Sequence, residues 1–227
     1  GFGKRGVSGE KRREMADSDD DVPVLSEYAQ AALAEFMAEQ KQREEDESEE
    51  ISEDWQLSQF WYDDKTSDIL AQETIQHTNN EDYIGFVSSP TAYKAAKKME
   101  TGDRKVFVFE FDKRFAKYGD DFVFFDFNDI NTIPDNLKGK FDFLMADPPF
   151  LSEDCMTKTS ECMNLLLKPD GKILIATGAI QEDIITKRWD GKVKKTTWQP
   201  THEGGRLQNP FGSFINYDSK NLDVPKA

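Results

Sequence analysis

The tetrapeptide Asp147-Pro148-Pro149-Phe150 follows directly on the apolar run Phe141–Ala146. Two consecutive prolines hold φ at about −65° and remove two N–H donors, so this turn offers acceptors alone: backbone carbonyls and the Asp147 carboxylate. Acceptors are what an amine nucleophile needs. They bind its N–H hydrogens, aim its lone pair at an electrophilic carbon, and favour the positive charge that grows on nitrogen as it attacks. Phe150 adds an aromatic face for a planar base, or for the methylene stem and growing cation of a lysine. A rigid strand-ending turn without chemistry is the plainer alternative.

Three further strand ends carry informative groups. The run 83–88 (YIGFVS) leads into Ser89-Pro90-Thr91. There Ser88, Ser89 and Pro90 replace a glycine-rich loop, and Ser89 or Thr91 can cap the next helix and aim N–H groups at an anionic ligand group. An ordinary capped βα turn is the competing reading. The run 105–112 ends in Glu110 and Asp112, about 20 residues beyond the first turn, where a doubly wound nucleotide binder places the acid that holds ribose hydroxyls. Glu110 is favoured and Asp112 is the second choice, with helix capping or pairing to Lys113 or Arg114 as alternative roles. After 122–127 (FVFFDF), Asp126 can meet an adenine amino group while Phe127 packs on its ring. A simple Asx turn fits Asp126 equally well.

Upstream, WQLSQFWY at 55–62 concentrates aromatics. Packing over a sheet is the default; the functional version folds Gln59, Phe60 or Trp61 over a bound cofactor, with Gln59 making a polar contact. His77, at a helix end, and His202, in a Gly-rich loop, sit in polar contexts without a Ser or Cys partner. Both are read as surface residues, and histidine-based nucleophilic catalysis is not supported. Cys155 and Cys162 form no CxxC pair, and on a helix their spacing puts them on one core-facing side; neither a metal nor a disulfide is implied.

These groups need a scaffold. Short Val-, Ile- and Phe-rich runs at 83–88, 105–112, 122–127, 141–146 and 172–177 alternate with helix-compatible stretches, notably 92–100 and 152–167. Strands buried on both faces and separated by helices predict an α/β fold with a mainly parallel sheet. In such a sheet, ligands sit beyond the carboxyl ends of the strands. Late in the chain, 193–199 and 211–217 flank a Gly/Asn/Pro-rich connection and predict a C-terminal antiparallel hairpin.

Ahead of this domain, assigned to 55–227, the chain reads differently. Residues 1–25 form a leader or tag plus an acidic arm, with Met15 either a native start or part of a longer arm. Within 26–54, Ser26 caps an amphipathic helix whose face carries Tyr28, Ala32, Leu33, Phe36 and Met37, and it runs into the acidic block 44–50, expected to be a solvated linker. A docking role for that block is the alternative. The net charge of −15 is concentrated in the first 54 residues. No basic stripe is present to neutralise a phosphate backbone, so a basic protein suits this surface better than nucleic acid. No apolar run approaches the ~20 residues that span a bilayer, and an intracellular monomer is expected.

WQLSQFWY, FEFDKRFAKYG at 109–119, FDFLMADPPFLSE at 141–153 and GKILIATGAI at 171–180, in that order, resemble the N6-adenine-type methyltransferase family that includes lysine methyltransferases of translation elongation factor 1-alpha. The likeness covers residues 26–227. It implies a Rossmann-like seven-stranded cytoplasmic enzyme that uses S-adenosylmethionine to methylate a lysine of elongation factor 1-alpha. The catalytic turn then falls on Asp147, Pro148, Pro149 and Phe150, and the cofactor acid on Glu110 or Asp112. The missing glycine-rich loop is a departure from the general methyltransferase pattern. Relatives with the same core methylate adenine, so methylation of RNA or DNA is the rival function, and a catalytically silent adaptor is a third. A lysine amine, with a pKa of about 10.4, must lose a proton before it attacks. Orientation of the amine is assigned to Asp147 ahead of proton removal.

Overall fold

A computed structural model describes residues 30, 31, 33, 36, 37, 51–57, 59–205 and 209–222. Two compact units divide the chain, Gly1–Glu50 and Ile51–Ala227. In the first, Gln30, Ala31, Leu33, Phe36 and Met37 are helical, in line with the amphipathic pattern, and Leu33, Phe36 and Met37 are exposed. Ser26, Tyr28, Ala32 and the acidic block 44–50 lie outside the described residues.

The second unit is a seven-stranded sheet. Its strands are β1 (Tyr83–Val87), β2 (Lys105–Glu110), β3 (Phe122–Phe124), β4 (Phe141–Ala146), β5 (Leu167–Gly178), β6 (Lys194–Lys195) and β7 (Phe211–Ile215). They are ordered β3-β2-β1-β4-β5-β7-β6. The first five run parallel, whereas β7 is antiparallel to both β5 and β6. The expected α/β sheet and C-terminal hairpin are both present. From β1 the chain winds outward through β2 and β3, then returns to place β4 on the other side of β1. The β1/β4 seam is therefore a topological switch point, where crevices open beyond the strand ends.

Helices cover both faces. The helices α1 (Asp64–Gln76), α2 (Pro90–Lys98), α3 (Glu153–Leu166) and α4 (Glu182–Arg188) pack as two pairs. Leu70 and Ala71 of α1 and Ala92, Tyr93 and Ala96 of α2 join Ile84, Phe86, Phe143 and Met145 in one buried cluster. Met156, Cys162, Met163 and Leu166 of α3 and Ile185 of α4 join Val87, Leu144 and Ala146 in the other. Side chains of a strand alternate between faces, so Asp147 continues the Phe143 and Met145 row, on the face that also buries Tyr62. Gly85 lets β1 and β4 close tightly, since a Cβ there would lie 2.6 Å from Leu144 Cδ2.

Both cysteines are buried on α3, as their spacing predicts. Ser152 caps that helix by accepting the Cys155 N–H at 3.2 Å. His77 is half-buried rather than a surface residue: it approaches the buried Glu73 carboxylate at 3.5 Å, and its ring packs at a tilt against that of Tyr217, 4.5 Å between centroids. Glu73 in turn accepts hydrogen bonds from Tyr217 Oη at 2.9 Å and Asn221 Nδ2 at 2.8 Å, and so holds the C-terminal segment against α1.

Among the described residues no helix is long and apolar enough to cross a membrane, and no cluster of His, Cys, Asp or Glu could hold a metal ion.

Candidate active site

A cavity of about 490 Å³ opens at the β1/β4 switch point. This is within the roughly 300–1,000 Å³ of ligand and cofactor pockets. Its floor is made by the strand ends: Ser88, Glu110, Asp126 and Asp147. Pro148, Pro149 and Phe150 continue from Asp147 along one wall, so all four residues of the turn face the same space. The Asp147 N–H donates to Val87 O at 3.0 Å, which extends the β1–β4 ladder to the catalytic candidate and fixes its backbone.

The Asp147 carboxyl is deep in the protein although it opens onto the cavity. Burial holds its pKa well above the usual carboxylate range, the Tyr62 hydroxyl that donates to it works the other way, and the nearby Glu110 charge adds to the rise. Tyr62 is buried at 2 % exposure and belongs to the segment just before α1.

Ser88 has φ of 50°, the left-handed region that a glycine usually occupies. The missing glycine-rich loop is thus replaced by a serine held in a costly conformation, with its N–H bonded to Phe109 O at 2.8 Å. Pro90 and Thr91 also line the cavity, but Ser89 does not. Ser89 is the N-cap of α2 without a side-chain capping bond. Its hydroxyl is buried and has no hydrogen-bond partner among the described residues. Of the three residues expected at this turn, Ser88 and Pro90 face the cavity, while Ser89 sits one position before Pro90, the first residue of the helix.

The two acids after β2 separate. Glu110 lines the cavity, and its Oε1 accepts the N–H groups of Phe111 at 3.0 Å and Asp112 at 3.2 Å. Burial pushes its pKa up to about 7, opposed by those two N–H groups and reinforced by the Asp112 charge. Asp112 lies behind the wall. Its Oδ2 is 2.6 Å from Arg114 Nη2, its Oδ1 accepts the Arg114 N–H at 2.9 Å, and Gln59 Nε2 donates to Oδ2 at 3.1 Å. Burial alone would raise the Asp112 pKa, but these donors hold it below its ordinary value. Capping and ion pairing, the alternatives weighed for Asp112, are what the geometry contains.

Asp126 and Phe127 both line the cavity. Asp126 also makes the Asx turn, accepting the Asn128 N–H at 2.8 Å. The Phe127 ring lies 5.9 Å from that of Phe150, so the β3 end and the catalytic turn share an aromatic wall.

The roof comes from the segment before α1. Gln56, Leu57, Gln59, Phe60 and Trp61 all face the cavity. Gln59 is anchored on both sides: Oε1 accepts the Asp54 N–H at 2.9 Å while the amide donates to Asp112. Packing and roofing, weighed as alternatives for this aromatic segment, coexist.

His202 is a second correction. It is a wall residue, not a surface one, with its ring 4.6 Å from Tyr62 and 4.4 Å from Phe211. Burial lowers its pKa to about 4 despite the opposing charges of Asp63 and Glu53, so the imidazole is neutral near pH 7. Asn209, Phe211, Phe111 and Leu151 complete the lining without having been singled out from sequence. Only their position in the Gly/Asn/Pro-rich connection, or beside a marked strand end, could have pointed to them.

The described lining holds three carboxylates, Glu110, Asp126 and Asp147, and neither lysine nor arginine. Such a lining suits a cation better than a phosphate. A seven-stranded sheet in this order, with an acceptor-only turn at the switch point, defines a Rossmann-like methyltransferase that acts on nitrogen. Residues 53–219 match the family described as "Probable N6-adenine methyltransferase", and the chain belongs to that family.

Among its relatives, EEF1A lysine methyltransferase 1 of Homo sapiens is 42% identical over 213 residues, covering 90% of this chain and 97% of the relative. The Gallus gallus protein of the same name is 41% identical over 215 residues, 90% of this chain and 99% of the relative. A protein-lysine N-methyltransferase of Caenorhabditis elegans is 40% identical over 218 residues, 90% and 98%. A solved branched-chain polyamine synthase mutein from Thermus thermophilus shares the fold, with a TM-score of 0.53 at 13% identity over 79% of this chain and 64% of that one.

Proposed function

We propose that this protein is an S-adenosylmethionine-dependent protein-lysine N-methyltransferase acting on translation elongation factor 1-alpha. The observation that carries the reading is the cavity lining: three carboxylates and, among the described residues, neither lysine nor arginine around an acceptor-only turn. A lysine amine and a sulfonium are both cations. A nucleic acid brings phosphates, which this lining repels. The names of the relatives, all at about 40% identity along nearly their whole length, support the same acceptor.

The cavity fits the cofactor by the chemistry of its donors and acceptors. Glu110 would accept from ribose hydroxyls, Asp126 would take the adenine amino group with Phe127 beside the ring, Ser88 and Pro90 would let backbone approach, and Gln59 would close the roof. When bound, S-adenosylmethionine supplies an electrophilic methyl group on sulfur. The Asp147 carboxylate and the carbonyls of the turn then accept the amine hydrogens and aim the lone pair, while Phe150 flanks the methylene stem.

The same reading makes residues 55–227 the catalytic domain, with 1–25 and 26–54 as appended arms, and places the protein in the cytoplasm as a monomer. Transfer from labelled cofactor into nuclease-treated cell extract tests the acceptor. Label in a protein of the size of elongation factor 1-alpha is expected, and label confined to nucleic acid in untreated extract contradicts the reading.

A further inference from the structure

Immediately beyond the catalytic turn, the chain presents apolar side chains to solvent. Phe150 is 46% exposed, Leu151 38% and Ile180 81%. Monomers seldom leave such a contiguous cluster uncovered unless something binds there. Ile180 lies on the short 3-10 turn that ends β5, and this turn is fixed by the Ala179 N–H, which donates to Pro210 O at 2.8 Å. Leu151 is wedged against the end of β5, since a Cβ on Gly178 would meet its Cδ2 at 2.7 Å.

A second cavity, of about 370 Å³, lies here, with Leu151, Glu153, Ile180, Asp183, Ile184 and Lys187 in its wall. Leu151 also lines the first cavity, so the two are neighbours on either side of this one side chain. Two exposed carboxylates, Glu153 and Asp183, face one ammonium, Lys187, around an apolar floor.

We propose that this second cavity docks the substrate protein, receiving an apolar side chain from a segment that also carries basic residues, a few positions from the lysine in the first cavity. Its position beside the first cavity, across Leu151 and next to Phe150 of the catalytic turn, argues for the substrate protein as occupant, and two carboxylates against one ammonium favour a basic segment over an acidic one. The inference rests on the protein-lysine reading. Binding energy spent here is equal in ground and transition states, so its loss raises KM and leaves kcat alone.

The test is steady-state methylation of purified, unmodified elongation factor 1-alpha by wild type, Ile180→Asp and Asp183→Lys. Calorimetry of S-adenosylmethionine binding and a thermal melt check each variant. Expected is a rise in KM for the protein of roughly tenfold for Ile180→Asp and a smaller rise for Asp183→Lys, with kcat and cofactor affinity unchanged. An unchanged KM overturns the proposal, as does a parallel loss of cofactor affinity. Sedimentation showing that Ile180→Asp splits a wild-type dimer overturns it in favour of a second copy of the chain. Failure of the lysine reading is distinguishable, because wild type itself would then transfer no methyl group to the protein.

Discussion

Gln59 donates its side-chain amide to Asp112 Oδ2 at 3.1 Å, across a separation of 53 residues. This one bond ties the roof of the cavity to the end of β2, where Glu110 meets the same cavity. Asp112 holds Gln59 and Arg114 and is not among the residues that line the cavity.

Removing the anchor should open the roof. Asp112→Ala leaves Gln59 and Arg114 without their acceptor, and a buried partner stranded in this way costs about 1–3 kcal/mol. We expect affinity for S-adenosylmethionine to fall on the order of tenfold, with kcat at saturating cofactor changed far less. Calorimetry reads the affinity. A folded variant that binds as tightly as wild type would contradict the anchoring role.

Glu110 should make cofactor binding pH-dependent. Its folded pKa, about 7, lies above the ordinary 4.5 because the group is buried. Protonated Glu110 therefore favours the folded state, a contribution complete below about pH 4.5 and lost as pH rises through about 7. Binding runs the other way, since an ionised carboxylate is the stronger acceptor for ribose hydroxyls. Affinity measured from pH 6 to 8 should rise with pH in wild type and stay flat in Glu110→Gln; equal slopes in the two proteins would exclude Glu110 from the ribose site.

His202 acts with the opposite sign. Its folded pKa is depressed to about 4 from 6.5, mainly by burial. The resulting stability is present above about pH 6.5 and lost as pH falls through about 4. His202→Phe keeps the ring between Tyr62 and Phe211 and removes the titration. Its melting temperature should decline less than that of wild type between pH 7 and 4.5, and a decline as steep as in wild type would show that other groups govern the acid limb.

Much of this was legible in the residues, for identifiable reasons. Phe141–Ala146 is a strand because a run apolar at every position but Asp142 suits burial on both faces, and Asp147 follows it as the turn chemistry requires. The four strand ends were locatable because ligand sites in parallel sheets lie at one edge. Other features were hidden. The extent of α1 gives little periodic signal, since it buries Thr66, Ser67, Glu73 and Thr74 beside only Leu70 and Ala71. Small polar residues do the packing there.

The strand β3 stops at Phe124, short of the expected 127, because Asp126 bonds locally to the Asn128 N–H. β5 begins at Leu167, ahead of the expected 172, because Leu167 pairs with Phe141 across a register shift. His202 reads as a loop residue since Tyr62, which buries it, is distant in sequence and invisible to local patterning. Glu110 was favoured over Asp112 on sequence alone, without a contact to separate them. Only the position of Arg114 and the arrival of Gln59 distinguish them.

The most direct test is mass spectrometry of purified, unmodified elongation factor 1-alpha incubated with S-adenosylmethionine and either wild type or Asp147→Ala. Loss of an oriented acceptor at the reacting nitrogen should cost roughly 10²–10³ in rate, while calorimetry shows cofactor still bound. The account predicts a methylated lysine with wild type and almost none with the variant. Equal methylation by both proteins, or none by wild type alongside methylated adenine in added RNA, would contradict it.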